Sequence, residues 1–177
     1  MADMEEKQIS TERILNAKII NVRRDVVMSP KGECFREVVE HPGGAAILAY
    51  TDPQNIILIK QYRYAASQEM LELPAGKLEK GEEPINCAKR ELTEETGYEA
   101  ENWEYLGFIF SSPGFCNEKI HLFKATNLTL KETHFDEFEL IENQITPVKT
   151  AIEMVKTGKI TDSKTVFGIF HALESMR

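Results

Sequence analysis

Glu91, Glu94 and Glu95 fall at i, i+3 and i+4, the spacing that projects side chains from neighbouring points on one helical face. The segment around them predicts a helix. Pro84 suits its first turn, because the missing proline N–H would be unpaired there anyway. Gly97 suits its end, because glycine readily takes the left-handed conformation that stops a helix. Ile85, Ala88 and Leu92 recur at helical spacing and mark the buried stripe. Like charges this close destabilise a bare helix, and these sit near its C-terminal end, where the dipole disfavours anions. Two readings answer that cost: an acidic face left to solvent, or a cradle for a hard divalent cation. Mg²⁺ prefers oxygen ligands, keeps several waters, and bridges carboxylates to substrate phosphates.

The wider pattern favours the cradle. Gly76, five residues, Glu82, seven residues, then Arg90-Glu91-Leu92-x-Glu94-Glu95-x-Gly97-Tyr98 resembles the Nudix box, the signature of the Nudix hydrolase superfamily. Every defined position is filled, with Tyr98 standing where an aliphatic residue is commoner. The resemblance implies an α/β/α sandwich around a mixed sheet. It also implies hydrolysis of a nucleoside diphosphate linked to another moiety, with Mg²⁺ (or Mn²⁺) as cofactor. On it, Glu91 and Glu95 are direct metal ligands, with the Ala75 carbonyl beside the box glycine as a further one. Glu94 is a third ligand or holds a metal-bound water. Glu82 and Arg90 form a salt bridge tying the loop to the helix.

Features outside the box resemble the ADP-ribose pyrophosphatase branch. Pro113 lies fifteen residues after Tyr98. Gly114 and Glu118, in and after that turn, are candidate substrate contacts. Gln61-Tyr62-Arg63-Tyr64 and Leu71-Glu72-Leu73-Pro74-Ala75-Gly76 are paired as in the ADP-ribose and nucleotide-sugar enzymes, and Arg63 would offer its planar fork to the diphosphate. Phe35, Arg36 and Glu37 resemble a strand that in dimeric members reaches toward the partner subunit's site. Phe35 could stack on adenine, and Arg36 and Glu37 could bond base or phosphate. The catalytic base is assigned to Glu137, with Glu139 as an added metal contact; the two could exchange roles. The implied activity is cleavage of ADP-ribose to AMP and ribose 5-phosphate by a homodimer. Another nucleotide sugar, a dinucleoside polyphosphate, or a non-catalytic ADP-ribose sensor are the alternatives.

Composition narrows the partners. A net charge of −8 over 177 residues argues against non-specific nucleic-acid binding, which needs a basic footprint. It also means that an anionic substrate requires local cations. Cys34, Cys87 and Cys116 make neither zinc spacing nor a disulfide framework, which suits a reducing cytoplasm. Met1 to Arg13 is charged and has no apolar signal region, and no apolar run approaches a membrane span.

Turn signals divide the chain into the elements that must position these residues. Met1 to Thr11 reads as polar and frayed. A small antiparallel sheet is expected from about Glu12 to His41, too small to stand alone and suited to dimerisation. Pro42-Gly43-Gly44 marks the boundary, giving residues 1–41 and a Nudix domain over 42–177. Ala45–Tyr50 and Ile56–Tyr62 predict a buried hairpin. Strands are expected at Met70–Leu73, Glu104–Ser111, Lys119–Ala125 and Leu140–Ile145, with a polar, acidic loop before the last. Two helices close the chain. The first starts at Pro147 and buries Val148, Ala151, Ile152 and Val155. The second runs from Lys164 to Ser175 with Val166, Phe167, Phe170 and Leu173 inward.

Overall fold

The structure, a computed structural model, describes residues 4–131 and 140–174. The chain divides into two compact units, residues 1–43 with 110–119 and residues 44–109 with 120–177.

The first unit is a three-stranded antiparallel sheet of β1 (Lys7–Asn16), β2 (Asn21–Ser29) and β3 (Gly32–Glu40), in that order. The first strand begins at Lys7, inside the stretch expected to be frayed. Its pairing with β2 runs from Lys7–Met28 to Asn16–Asn21, so ladder hydrogen bonds override the polar composition of residues 7–11. Segment 110–119 joins this unit through a parallel bridge between Val39 and Cys116. Few apolar side chains are buried here, Val27 being one, while Ile9, Ile14, Leu15, Ile19, Met28 and Phe35 are exposed.

The second unit holds a seven-stranded mixed sheet. Its main path is β10 (Glu142–Pro147), β5 (Asn55–Arg63), β4 (Gly44–Asp52), β9 (Lys119–Leu130) and β8 (Tyr98–Phe110). Two short strands attach to it: β6 (Gln68–Glu72) on β5, and β7 (Ala75–Lys77) on β4. The β4–β9 pair is parallel. Strand β4 is buried from Gly44 to Tyr50, as a central strand covered on both faces must be. Alternation sends Ala46, Leu48 and Tyr50 into one core and Ala45, Ile47 and Ala49 into the other. The first core is closed by α2 (Val148–Lys156) and α3 (Ser163–Glu174), the second by α1 (Pro84–Thr96). This is the helix–sheet–helix sandwich expected from the sequence.

Of the residues expected inward on α3, Val166, Phe167 and Leu173 are half-buried against the first core. Thr165, Ile169 and Ala172 are buried with Gly168, whereas Phe170 is exposed. Small residues face inward because the helix closes tightly on β6–β7: a Cβ on Gly168 would lie 2.4 Å from Leu73 Cδ1. Among the described residues, no helix is long and apolar enough to cross a membrane.

Candidate active site

Helix α1 starts and stops where its residues dictate. Pro84 occupies the first turn, and Gly97 ends the helix at φ 75°, its N–H donating to the Thr93 carbonyl (2.9 Å). Cys87, Ala88 and Leu92 enter the core, and burial pushes the Cys87 thiol up to about 12. That leaves it an inert packing group.

The three glutamates lie on the side of α1 that meets β7. Glu95 is only 6% exposed, and its Oε2 accepts the Ala75 N–H at 2.8 Å. Glu91 lies so close over Gly76 that a Cβ there would fall 1.8 Å from its carboxylate carbon. The box glycine is therefore a matter of space. Gly76→Ala is expected to expel the Glu91 carboxylate and lower activity by about 10²-fold, comparable to losing one catalytic electrostatic contact. A steady-state assay checks this, and wild-type turnover in the variant would contradict it. Glu94 is half-exposed, at 47% for its side chain.

Arg90 supplies part of the charge balance for the helix carboxylates. Its Nε and Nη2 donate to Glu82 (3.1 and 3.2 Å), and its Nη1 to Glu91 Oε1 (2.6 Å) and Glu94 Oε2 (2.9 Å). Nη2 also reaches the Lys77 carbonyl (3.2 Å). The hydrogen bond to Glu82, then the charge of Glu91, holds the guanidinium above its ordinary value. The same bond holds the Glu82 carboxyl below its own. The expected loop-to-helix bridge is thus present, and it extends onto the helix carboxylates.

Among the described residues, no three acidic, histidine or cysteine side chains form a ready-made metal cluster. The donor chemistry nonetheless fits a hard divalent cation. Carboxylates of Glu91 and Glu95 converge on one peptide segment, Ala75–Gly76, and carboxylate oxygens are the donors that Mg²⁺ prefers. Arg90 would have to yield part of its hold on Glu91 as the cation entered.

Arg63 ends β5 opposite Gln68, and its side chain reaches back along the sheet to Glu72 on β6. Its Nε and Nη2 each donate to one Glu72 oxygen at 2.8 Å. That bond comes first among the causes that raise the Arg63 value, and Glu95 and Asp162 also act on it electrostatically. The planar fork is therefore spent on a carboxylate, with the side chain 43% exposed.

Within the first unit, strand alternation separates residues that were grouped by sequence. Phe35 and Glu37 share a face with Arg24, and Arg36 is opposite Asp25 on the other face. Arg36 donates to Glu6 and to the Phe35 carbonyl. Arg24 donates to Glu37 at 2.7 Å and, with Phe35 and Glu37, lines a shallow pocket of about 410 Å³. Arg24 was missed; its signal was the register, since an arginine opposite Glu37 needs the pairing of β2 with β3 to be known. Gly114 lies in a turn with open space around its Cα. Glu118 sits 3.2 Å from His41 Nδ1. His121 is a strand residue beside Tyr105 (3.0 Å). Glu137 and Glu139 lie outside the described residues.

A NUDIX domain family model matches residues 40–166. The chain is 42% identical over 168 residues to the methanol dehydrogenase activator of Bacillus methanolicus, covering 93% of this chain and 91% of that one. It is 41% identical over 172 residues to the ADP-ribose pyrophosphatase of Bacillus subtilis (strain 168), covering 96% and 93%. A crystal structure of an ADP compounds hydrolase superposes with a TM-score of 0.85 at 19% identity, covering 99% of this chain and 96% of that one, which is a likeness of fold. With the signature helix folded over its glycine and the family match spanning most of the sequence, the chain belongs to the Nudix domain family.

Proposed function

We propose that the protein hydrolyses ADP-ribose to AMP and ribose 5-phosphate. The observation that carries this reading is the convergence of Glu91 and Glu95 on Ala75–Gly76. The substrate is suggested by the Bacillus subtilis relative. Water attacks one phosphorus, a P–O bond forms, the bridging P–O bond breaks, and the water proton passes to a carboxylate. Glu137 is proposed as that base, with Glu139 the alternative. Glu91, Glu95 and the Ala75 carbonyl would hold a divalent cation, with Glu94 beside them; we take it to be Mg²⁺. When bound, it neutralises phosphate charge and polarises the diphosphate. Arg63 contributes a fixed positive charge for the diphosphate, which the net charge of −8 would otherwise repel.

The N-terminal sheet is proposed as the dimerisation element, so that Phe35, Arg36 and Glu37 serve the site of a second subunit. Support comes from the apolar side chains this small sheet leaves exposed, including Phe35 at 66%. Gel filtration is expected to give a dimer; a fully active monomer would contradict the shared site. Gly114 and Glu118 are proposed as substrate contacts. The free thiols favour a cytoplasmic setting.

The test is a substrate panel with Mg²⁺: ADP-ribose, GDP-mannose, a dinucleoside polyphosphate and a nucleoside triphosphate. ADP-ribose is expected to lead by tenfold or more in kcat/KM, about 1.4 kcal/mol of transition-state preference. A different leader would move the substrate assignment. The Bacillus methanolicus relative is named for its effect on another enzyme, which does not conflict with a hydrolytic reaction here.

A further inference from the structure

One buried carboxylate has no part in the chemistry above. Glu72 is 1% exposed, yet two cations share it. Arg63 takes both oxygens, and Lys164, from the first turn of α3, donates to Oε2. Lys164 is itself only 8% exposed and also pairs with Asp162 Oδ1 at 3.0 Å. Arg63 already compensates Glu72, and Lys164, paired with Asp162 as well, brings two cations against two carboxylates at a desolvation cost of its own. The placement of Lys164 therefore needs a cause.

Anchoring of α3 is not a sufficient one. Thr165 Oγ1 accepts the Leu73 N–H at 2.8 Å and donates to Asp162 at 2.5 Å. Gly168 closes on Leu73 a turn later. Helix α3 is thus fastened beside Glu72 without any help from Lys164.

Charge supplies a better cause. Three carboxylates act electrostatically on Arg63: Glu72, Glu95 and Asp162. One arginine among three carboxylates leaves a local excess of negative charge, and an anionic diphosphate arriving there would be repelled. Lys164 pairs with two of the three, Glu72 and Asp162. We propose that Lys164 is a positioning residue for diphosphate binding. By holding Glu72 and offsetting Glu72 and Asp162, it keeps the Arg63 guanidinium fixed and able to attract phosphate. This rests on the reading that Arg63 meets the diphosphate of a nucleotide-sugar substrate.

Lys164→Met keeps an unbranched apolar stem in the buried site and removes the charge. With ADP-ribose and Mg²⁺, its KM is expected to rise about tenfold with kcat within threefold. Lys164→Arg should recover most of the loss. In an Arg63→Gln background, Lys164→Met should add less than twofold, because its effect runs through Arg63. A second variant tests the sign. Asp162→Asn keeps a good helix cap and deletes one of the opposing charges, so KM should fall about threefold. An unchanged KM in Lys164→Met, even with a lowered Tm, would overturn the proposal. So would an equal effect in the Arg63→Gln background, or a KM in Asp162→Asn at or above wild type. If the wild-type protein cleaves no nucleotide sugar at all, the functional reading falls first and this inference with it.

Discussion

Glu95→Gln is expected to lower kcat for ADP-ribose by roughly 10³-fold, about 4 kcal/mol, while the fold stays intact. The two halves of that expectation have separate causes. Glu95 is buried, and its hydrogen-bonding duty is to accept the Ala75 N–H at 2.8 Å. A glutamine side-chain oxygen can accept the same bond, so strand β7 keeps its place under α1. What disappears is the negative charge beside Ala75 and Gly76, where Glu91 also arrives. A neutral amide oxygen can still face a hard cation, as the Ala75 carbonyl is proposed to, but without the carboxylate charge it holds one far more weakly. Glu94→Gln should cost less, because Glu94 is half-exposed and shares Arg90 with Glu82 and Glu91. Steady-state kinetics with Mg²⁺, beside a thermal melt, check both halves. Near-wild-type turnover in Glu95→Gln would remove the metal-cradle claim.

The largest loss of stability is expected from Glu72→Ala. The substitution leaves Arg63 and Lys164 facing each other where the buried Glu72 carboxylate had paired with both. Breaking a buried ion pair by removing one partner costs roughly 3–5 kcal/mol. For a chain of this size, that lowers Tm by roughly 6–20 °C. The pH dependence follows from the direction of the Glu72 shift. Burial pushes its carboxyl up, but the Arg63 hydrogen bond and the Lys164 charge more than offset this, so it lies below its ordinary value. Stability from such a group is fully present above the unfolded carboxylate value, about 4.3. It is lost as pH falls through the lowered folded value. The stability gap between wild type and Glu72→Ala should therefore be widest near neutral pH and narrow in acid. Denaturant melts at several pH values measure it; a gap independent of pH would show that Glu72 acts by packing alone.

Local rules carried much of the architecture. Pro84 and Gly97 bound α1 because one residue lacks a donor and the other accepts a positive φ. The Glu82–Arg90 bridge was legible from the resemblance to the Nudix box, which places the two residues eight apart across the loop-to-helix junction. Central strands β4 and β5 were legible as unbroken apolar runs. What escaped depends on contacts remote in sequence. Lys164 meets Glu72 across 92 positions, and nothing near either residue announces the other. Gly168 lies against Leu73, 95 positions away in the chain, and no local pattern marks that contact. On α3, Val166, Phe167 and Leu173 pack on the core as expected while Phe170 stays exposed, and the close approach to Leu73 selects a glycine at position 168. The start of strand β1, Lys7 to Thr11, was hidden by its polar composition, since its stability comes from pairing with β2 rather than from burial. The separation of Arg36 from Phe35 and Glu37 was available from two-residue periodicity alone. Arg24, in contrast, needed the register.

The central claim is that the carboxylate helix over Gly76 serves diphosphate hydrolysis. Its most direct test is incubation of the wild-type protein with ADP-ribose and Mg²⁺, with products separated by chromatography and a parallel sample held in excess chelator. Equal amounts of AMP and ribose 5-phosphate, formed with Mg²⁺ and absent in chelator, are the predicted result. Intact ADP-ribose under both conditions, together with a raised Tm, would contradict it and leave the helix as a binding cradle without turnover.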